Sequence, residues 1–278
     1  MRGYTTEQQR RSWREDGVVC IRDALTDETL RMAREAIEWS ARHAGPNSYR
    51  QVSESGAENF QDRANPAALS RYGVLAKQPE FKAVLDELWG VGDVWFIFEQ
   101  VFIRRNGASP PTQWHQDTLY MPTRGDRLAT VWFCLGDIPR NSALEVIPGS
   151  HRGPLYNGIK AHPDEGTVPL FDRADIPPLP DIEAEREKWP ITSWATGPRD
   201  LLIFHPSILH GGGQNRENVS RQTVTLRFFG EDTVVSDLDD GGVYRCSADE
   251  GDPAYHPVMA MYRQPTGSPF QHPHFPKL

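Results

Sequence analysis

His115 and Asp117 stand two residues apart in the stretch Gln113-Trp-His-Gln-Asp-Thr-Leu-Tyr120, behind the β-prone run Val94-Trp-Phe-Ile-Phe-Glu-Gln-Val-Phe-Ile103. On a strand, residues i and i+2 project to the same side. The spacing therefore predicts an imidazole and a carboxylate side by side. A further histidine, His210, lies far downstream beyond several apolar runs. Two imidazoles and one carboxylate on one face of a ferrous ion leave the remaining positions open for other ligands and O2. That is the chemistry these residue types can do together. His-x-Asp alone is a common pattern, and a second copy stands at His162/Asp164. That copy falls in a Pro/Gly-rich stretch with no strand to align it. His205 is followed by Pro206, and its spacing of five from His210 suits neither helix nor strand geometry around one metal. His272-Pro-His274 lies in an irregular tail, His43 ends a helix, and His256 has only Asp252 nearby. Each of these reads as a solvated or core histidine.

Arg221 lies eleven residues beyond His210, across Gly211-Gly-Gly-Gln-Asn215. A hairpin there would return the chain antiparallel beside the His210 strand and turn Arg221 toward the same cavity. Ser220 to Gly230 alternates strictly, with Val224, Leu226 and Phe228 on one face and Arg221, Thr223, Thr225 and Arg227 on the other. A polar face between apolar walls is expected of a site. A guanidinium with a hydroxyl close by, here Thr223, suits a bidentate clamp on a buried carboxylate.

These residues need elements to hold them. Thr5-Thr6-Glu7 predicts a helix start and Asp16-Gly17 its end; Val18 to Ile21 is a short strand. Thr26-Asp27-Glu28 caps a second helix with apolar residues at Leu30, Ala33 and Ile37, stopped at Gly45-Pro46-Asn47. Residues 46–66 read as loop with weak strand content. Phe81, Val84, Leu85 and Leu88-Trp89 mark another helix, closed by Gly90. Strands follow at 94–104, 128–135, 143–147, 201–204 and 220–230, with a Gly107-Ala-Ser-Pro-Pro111 loop after the first. Residues 152–196 are rich in Pro, Gly and acid, with one short helix expected at 182–188; their place between the two halves of the proposed iron site predicts a lid or substrate wall. The pattern predicts one domain over 1–278 of α+β class, mainly β with flanking helices: a helical layer at 1–90, a β-sandwich or jelly-roll core at 91–230, and a tail at 231–278 wrapped outside.

Composition narrows the partners. The chain has 278 residues, 38% hydrophobic and 24% charged, with a net charge of −8. No Lys/Arg block stands out, so neither nucleic acid nor a membrane surface is expected as a partner. Cys20, Cys134 and Cys246 lack metal-site spacing and cannot all pair, which fits a reducing, cytoplasmic setting. No secretory signal and no apolar run of membrane-spanning length is visible. The Lys277-Leu278 ending has Pro276 where a peroxisomal address needs a small residue. A monomer or homodimer acting on a small-molecule substrate is expected.

At this point the chain resembles the phytanoyl-CoA hydroxylase (PhyH-like) family of Fe(II)/2-oxoglutarate dioxygenases. The resemblance runs through Glu15 to Ile21, Trp114-His-Gln-Asp117, Val131-Trp-Phe, Ala143-Leu-Glu-Val-Ile-Pro-Gly-Ser-His-Arg152, Asp200 to Asn215 with Arg221, Gly251-Asp-Pro and Phe275-Pro. It implies a double-stranded β-helix core, Fe(II) on His115, Asp117 and His210, and 2-oxoglutarate chelating the iron with its distal carboxylate on Arg221. Gln100 and Trp132 match cosubstrate-contact positions of the family; Thr223 is added from strand alternation. It implies oxidative decarboxylation of 2-oxoglutarate by O2 to succinate and CO2, coupled to hydroxylation of an aliphatic C–H. Desaturation, epoxidation or rearrangement would use the same iron site. Related halogenases carry a small residue where Asp117 stands, so halogenation is not expected. One departure is Gly212, where the family often has Ser. A non-catalytic ligand-binding jelly roll is the rival of another class, against which the complete set with Arg221 argues; a hydrolytic zinc or manganese site would leave Arg221 unexplained. His151 and Arg152 read as structural, whereas Trp114, Tyr120, Met121 and Phe133 are candidates for the pocket wall. The basic residues Arg104, Arg105, Arg124 and Arg127 leave an acyl-CoA, an amino-acid-like molecule or a secondary metabolite open as substrate.

Overall fold

The computed structural model describes residues 3–54, 56–105, 111–162, 166–213 and 220–278. Of the expected features, Gly107 to Pro110, Asp164 and Gln214-Asn215 lie outside the described residues. The first helix, Glu7–Asp16, starts at a capping box, in which the Thr6 hydroxyl accepts from Gln9 N and the Gln9 side chain accepts from Thr6 N. It ends at Gly17, whose φ of 73° places it in the left-handed region. Thr26 caps the second helix, Asp27–Arg42, and Pro79 opens a third long one, Pro79–Trp89, at the position where its missing N–H costs nothing. A short helix, Leu69–Ala76, precedes it; its length and lack of a side-chain cap left it without a sequence signal.

A seven-stranded sheet carries, in spatial order, Val18–Ile21, Leu201–Phe204, Leu128–Cys134, Arg221–Gly230, Val94–Arg105, Glu58–Arg63 and Tyr49–Val52. The 46–66 stretch, expected as loop with weak strand content, thus supplies the last two strands at one side of the sheet. The outer face of this sheet is apolar. Val101, Ile103, Val131, Phe133, Val224, Leu226 and Phe228 bury against Ile37, Tyr72, Phe81, Val84 and Leu85 from the helices. Alternation then turns Gln100, Arg104, Thr130, Trp132 and the polar set of Arg221–Gly230 to the opposite, inner face. A smaller sheet, Thr192–Ser193, Leu144–Val146, His210–Gly212 and Thr112–His115, faces it. The two sheets form the double-stranded β-helix core, with the candidate residues between them.

Arg221–Gly230 does not return beside His210–Gly212. It pairs antiparallel with Val94–Arg105 and Leu128–Cys134 in the larger sheet, whereas His210–Gly212 pairs with Thr112–His115 and Leu144–Val146. The reason is length. A ten-residue strand needs long partners to satisfy its backbone, and a three-residue strand supplies none. The chain crosses between sheets instead, and Arg221 reaches the cavity from the opposite wall.

The 152–196 segment divides between two jobs. Leu179, Ile182, Trp189 and Ile191 pack with Trp114, Ile147 and Leu209 on the outer face of the smaller sheet, while Ile159 and Lys160 reach the cavity. The helix expected at 182–188 is reduced to a 3-10 turn, Arg186–Lys188, because the segment is held by side chains: Glu183 accepts from Trp114 Nε1 at 2.7 Å and Glu145 pairs with Arg186 at 2.7 Å. The tail packs Phe270 and Phe275 on Phe229, and its Val243 to Arg245 stretch comes inward to line the cavity. No helix among the described residues is long and apolar enough to cross a membrane.

Phe133, a candidate for the pocket wall, is fully buried on the helix side, with its ring 6.1 Å from that of Phe81. Phe133→Ala should therefore cost about 3–5 kcal/mol of stability, read from the urea midpoint at unchanged slope. A cost below about 1 kcal/mol, the level of a surface change, would place it elsewhere.

Candidate active site

His115 ends the Thr112–His115 strand, His210 begins the His210–Gly212 strand, and the two are register partners. Strand pairing alone sets their ring centroids 4.1 Å apart. The same local device fixes each ring. His115 Nδ1 lies 2.8 Å from Gln113 O, and His210 Nδ1 lies 3.0 Å from Ile208 O. A carbonyl only accepts, so Nδ1 carries the proton and Nε2 keeps its lone pair. Both Nε2 atoms face Asp117 Oδ1, at 3.6 and 3.9 Å. Asp117 is not on the strand. The chain leaves it after His115, and Asp117 opens a 3-10 turn, Asp117–Tyr120, which swings the carboxylate back between the rings. The ligand atoms of the three residues all lie within 4.8 Å of one another. Bonds of ~2.1 Å at right angles would set ligand atoms on the order of 3 Å apart, so a small closing movement fits them to one ion.

Asp117 is 5% exposed and its second oxygen is turned away from the imidazoles. Oδ2 accepts from Thr130 Oγ1 at 3.0 Å, and Arg227 Nη2 donates to both carboxylate oxygens at 3.1 Å. Burial pushes the Asp117 carboxyl up, but the Arg227 guanidinium beside it opposes this most strongly, and the carboxyl is held well below the usual carboxylate range. Burial, helped by His115, pushes His210 down to about 3, so it stands neutral as a metal ligand must. Asp117 Oδ1, which shares Arg227 with Oδ2 but takes no bond from Thr130, and two oriented Nε2 atoms form a one-sided donor set for a divalent ion.

Arg227 was not singled out by the sequence, although its alternating position put it on the polar face with Arg221. It also donates to Gln100 Oε1 at 2.8 Å and lies 4.9 Å over the Phe98 ring. Its register partner, Thr130, is the other anchor of Asp117. Pairing with Val94–Arg105 slips beside it, between Leu226 and Phe228. Such an irregularity re-aims side chains next to a site.

Two cavities meet at the triad, sharing His115, Asp117, Gln100 and Arg227 in their walls. The first, of about 420 Å3, is bounded by Trp132, Thr223, Arg104 and Arg221. Arg104 and Arg221 are register partners on neighbouring strands. Both donate to Gly213 O, at 2.8 and 3.0 Å, and Arg221 donates also to Ser142 O at 2.8 Å and lies 5.6 Å over the Trp132 ring. Among the described residues neither is paired with a carboxylate, and Arg104 Nε is buried with no partner. Burial, then Arg104, pushes Arg221 down to about 10. Two desolvated guanidiniums side by side are costly without an anion. The cavity is therefore built for a carboxylate at this end and a metal at the other, which fits a 2-oxo diacid. Gln100, Trp132 and Thr223 all line it, as does Arg221.

The second cavity, of about 490 Å3, has Tyr120 and Met121 in its wall. Trp114 is on the far side of its strand, in the outer cluster. Of the other basic residues, Arg105 pairs with Glu58, and Arg127 lies in a separate surface cleft with Trp13 and Trp89. His151 sits on the Ser150–Arg152 turn, against Gly17 and 5.7 Å from the His205 ring. His256 caps the helix Pro257–Met261. Glu250, His272 and His274 also gather within 4.8 Å, on the tail.

The family model for phytanoyl-CoA dioxygenase matches residues 13–223. Human peroxisomal phytanoyl-CoA dioxygenase is 24% identical over 251 residues, covering 84% of this chain and 71% of its own length. A probable alpha-ketoglutarate-dependent hypophosphite dioxygenase of Stutzerimonas stutzeri is 25% identical over 126 residues, 45% of this chain and 42% of its own. Among solved structures, the epimerase SnoN, in complex with Fe3+, alpha ketoglutarate and nogalamycin RO, superposes with a TM-score of 0.68 at 19% identity, covering 98% and 97% of the two chains. The alpha-ketoglutarate-dependent carbocyclase SnoK gives 0.66 at 18% identity over 99% and 96%. These structural likenesses speak to the fold.

Arg227→Met should destabilise the metal-free protein by about 3–5 kcal/mol, because it leaves Asp117 buried and unpaired. Added Zn2+ should recover part of that loss by taking over the carboxylate's charge. Urea unfolding with and without Zn2+ reads both; an equal gain from Zn2+ in wild type and variant would break the link between Arg227 and the metal ligand.

Proposed function

The chain belongs to the phytanoyl-CoA dioxygenase family, and from that premise we propose that it is a 2-oxoglutarate-dependent iron dioxygenase hydroxylating an aliphatic C–H of a small molecule, with His115, Asp117 and His210 as the iron ligands. The observation that carries this reading is the Arg104–Arg221 pair. It is a double cation with no carboxylate among its described partners, in the cavity that opens on the His–Asp–His set. A hydrolytic metal site has no use for it, and neither has a jelly roll that only binds a metal.

When bound, iron and 2-oxoglutarate supply the oxidising chemistry, spending O2 and the 2-oxo acid to give succinate and CO2. The protein's share is placement. His115 and His210 present fixed Nε2 lone pairs, and Asp117 presents Oδ1 while Thr130 holds Oδ2 and Arg227 steadies both oxygens. An iron held by His115, Asp117 and His210 would keep positions open for the cosubstrate and O2. Arg221, backed by Arg104, takes the distal carboxylate, with Trp132 against the guanidinium and Thr223 beside it. Gln100 is tied to Arg227, so it orients the carboxylate ligand's partner and faces the cosubstrate. The second cavity is left for the substrate, bounded on one side by Ile159 and Lys160 from the 152–196 segment. The three free cysteines support a reducing, cytoplasmic setting.

Purified protein with Fe(II), ascorbate and 2-oxoglutarate should release succinate, and Zn2+ in place of iron should abolish the release. Arg221→Leu should raise the KM for 2-oxoglutarate about 30-fold or more, since truncating one side of a buried charge pair costs at least about 2 kcal/mol. No succinate with iron, together with turnover by another divalent ion, would overturn the reading. Product mass and NMR distinguish hydroxylation, a gain of one oxygen, from epimerisation or ring closure.

A further inference from the structure

The cosubstrate's charges account for Arg104 and Arg221, and Asp117 accounts for Arg227. In the second cavity three more cations have no carboxylate partner among the described residues. Arg63, Lys160 and Arg245 line it together with Phe98, Met121 and Tyr244. The only carboxylate among its described lining residues is Asp117, already matched by Arg227. We propose that the substrate of this site is a small organic anion, its carboxylate or phosphate held by Arg63, Lys160 and Arg245 while its hydrocarbon body lies over Phe98, Met121 and Tyr244 beside the iron ligands. The assignment rests on the oxygenase reading for the chemistry and on the cavity for the charge.

Three distant parts of the chain deliver these cations. Arg63 ends the strand Glu58–Arg63, Lys160 comes from the strand Ile159–His162, and Arg245 from the tail. The heads of Arg63 and Lys160 are placed by carbonyls, which do not neutralise them, whereas Arg245 is exposed and held through its backbone N–H, which donates to Asn47 Oδ1. Arg63 Nη2 donates to Val243 O at 2.8 Å and its guanidinium lies 4.9 Å over the Tyr244 ring; Lys160 Nζ donates to Gly241 O at 2.8 Å. Gly241 and Gly242 adopt positive φ, 57° and 69°, so the tail can turn this carbonyl toward Lys160. In a chain of net charge −8, three cations converging on one concave site form a field that draws and holds anions.

The apolar half of the cavity sets the rest of the ligand. Phe98 and Tyr244 meet edge to face at 6.2 Å, and Phe98 also backs Arg227. An acid lying along that wall would place its charged end at the Arg63 side and its hydrocarbon toward His115 and Asp117. A cavity of about 490 Å3 is toward the small end of ligand sites, roughly 300–1,000 Å3, and suits one compact acid.

The test uses Zn2+-loaded full-length protein saturated with 2-oxoglutarate, so the cosubstrate cavity is filled and no turnover occurs. Octanoate, octyl phosphate and octanamide are titrated by calorimetry. At least one of the anions should bind tenfold or more tighter than the amide, and its advantage should shrink as salt rises. The two anions are compared directly, and the tighter one identifies the head group. The Lys160→Gln/Arg245→Gln double variant should lose that advantage while its affinity for octanamide stays within twofold. Equal binding of anions and amide, no binding of either anion, or a preference that survives in the double variant would each overturn the proposal. Succinate release is measured separately with iron. Anion binding without succinate release would sink the oxygenase reading and leave the anion site standing. Succinate release without charge preference would sink only the anion assignment.

Discussion

A carboxylate that must stay ionised inside a β-sandwich is the constraint around which this molecule is arranged. Asp117 is buried between two sheets, where desolvation alone would protonate it and cost it its use as a ligand. Arg227 and Thr130 prevent this from the opposite sheet by donating to its oxygens. The donors are therefore held in place by the protein's own bonds. The carboxylate is charged, and its Oδ1 and the lone pairs of both imidazoles lie within 4.8 Å of one another. A metal that enters meets ligands already desolvated and oriented, so little ordering remains to oppose its binding.

That arrangement dictates the two faces of the larger sheet. Each strand must hold apolar residues toward the helices and polar ones toward the cavity, and a one-residue slip would exchange them. This is why Val224, Leu226 and Phe228 pack on Phe81 and the helical layer while Arg221, Thr223, Thr225 and Arg227 face inward. The parity was legible in the sequence, and with it the cavity face. The partner strand was not. Which strand lies beside Arg221–Gly230 depends on long-range pairing, and the short interval after His210 suggested a local hairpin that the strand lengths forbid. The same limit hid Arg227 and Arg104. Their parity matched that of Arg221 and Gln100, but a buried arginine declares itself only when its carboxylate, or the lack of one, is visible in space. His115 and Asp117 could be told from the copy at His162/Asp164 by the β-prone run before them, and the family resemblance joined His210 to them. The geometry that joins them was partly misread, since Asp117 reaches the site through a turn and not along a strand.

Gly212 illustrates a departure that the fold itself explains. The family often carries a serine here, a hydroxyl that could touch the cosubstrate. In this chain Gly212 has φ of 70°, and a Cβ would fall 2.9 Å from Glu145 Cγ and Oε2. Glu145 in turn holds Arg186, and through it the segment that covers Trp114. A side chain at 212 would press on that support. The chain keeps the glycine, while hydroxyls on the facing sheet, Thr223 and Thr225, line the cavity.

The distribution of cations separates the two halves of the cavity. Along its length stand Arg221 and Arg104, then Arg227 against Asp117, then Arg63, Lys160 and Arg245. The central pair is neutral as a unit, so the outer groups act as separate attractors. A diacid anchored at Arg104 and Arg221 reaches the metal ligands from one side, and an acid held at Arg63 and Lys160 reaches them from the other. Like charges on two ligands would repel each other if they shared one end of the cavity. Held at opposite ends, their charged groups stay far apart and their reacting carbons meet at the triad. An acidic exterior with a basic cavity thus does more than attract anions; it sorts two of them by position.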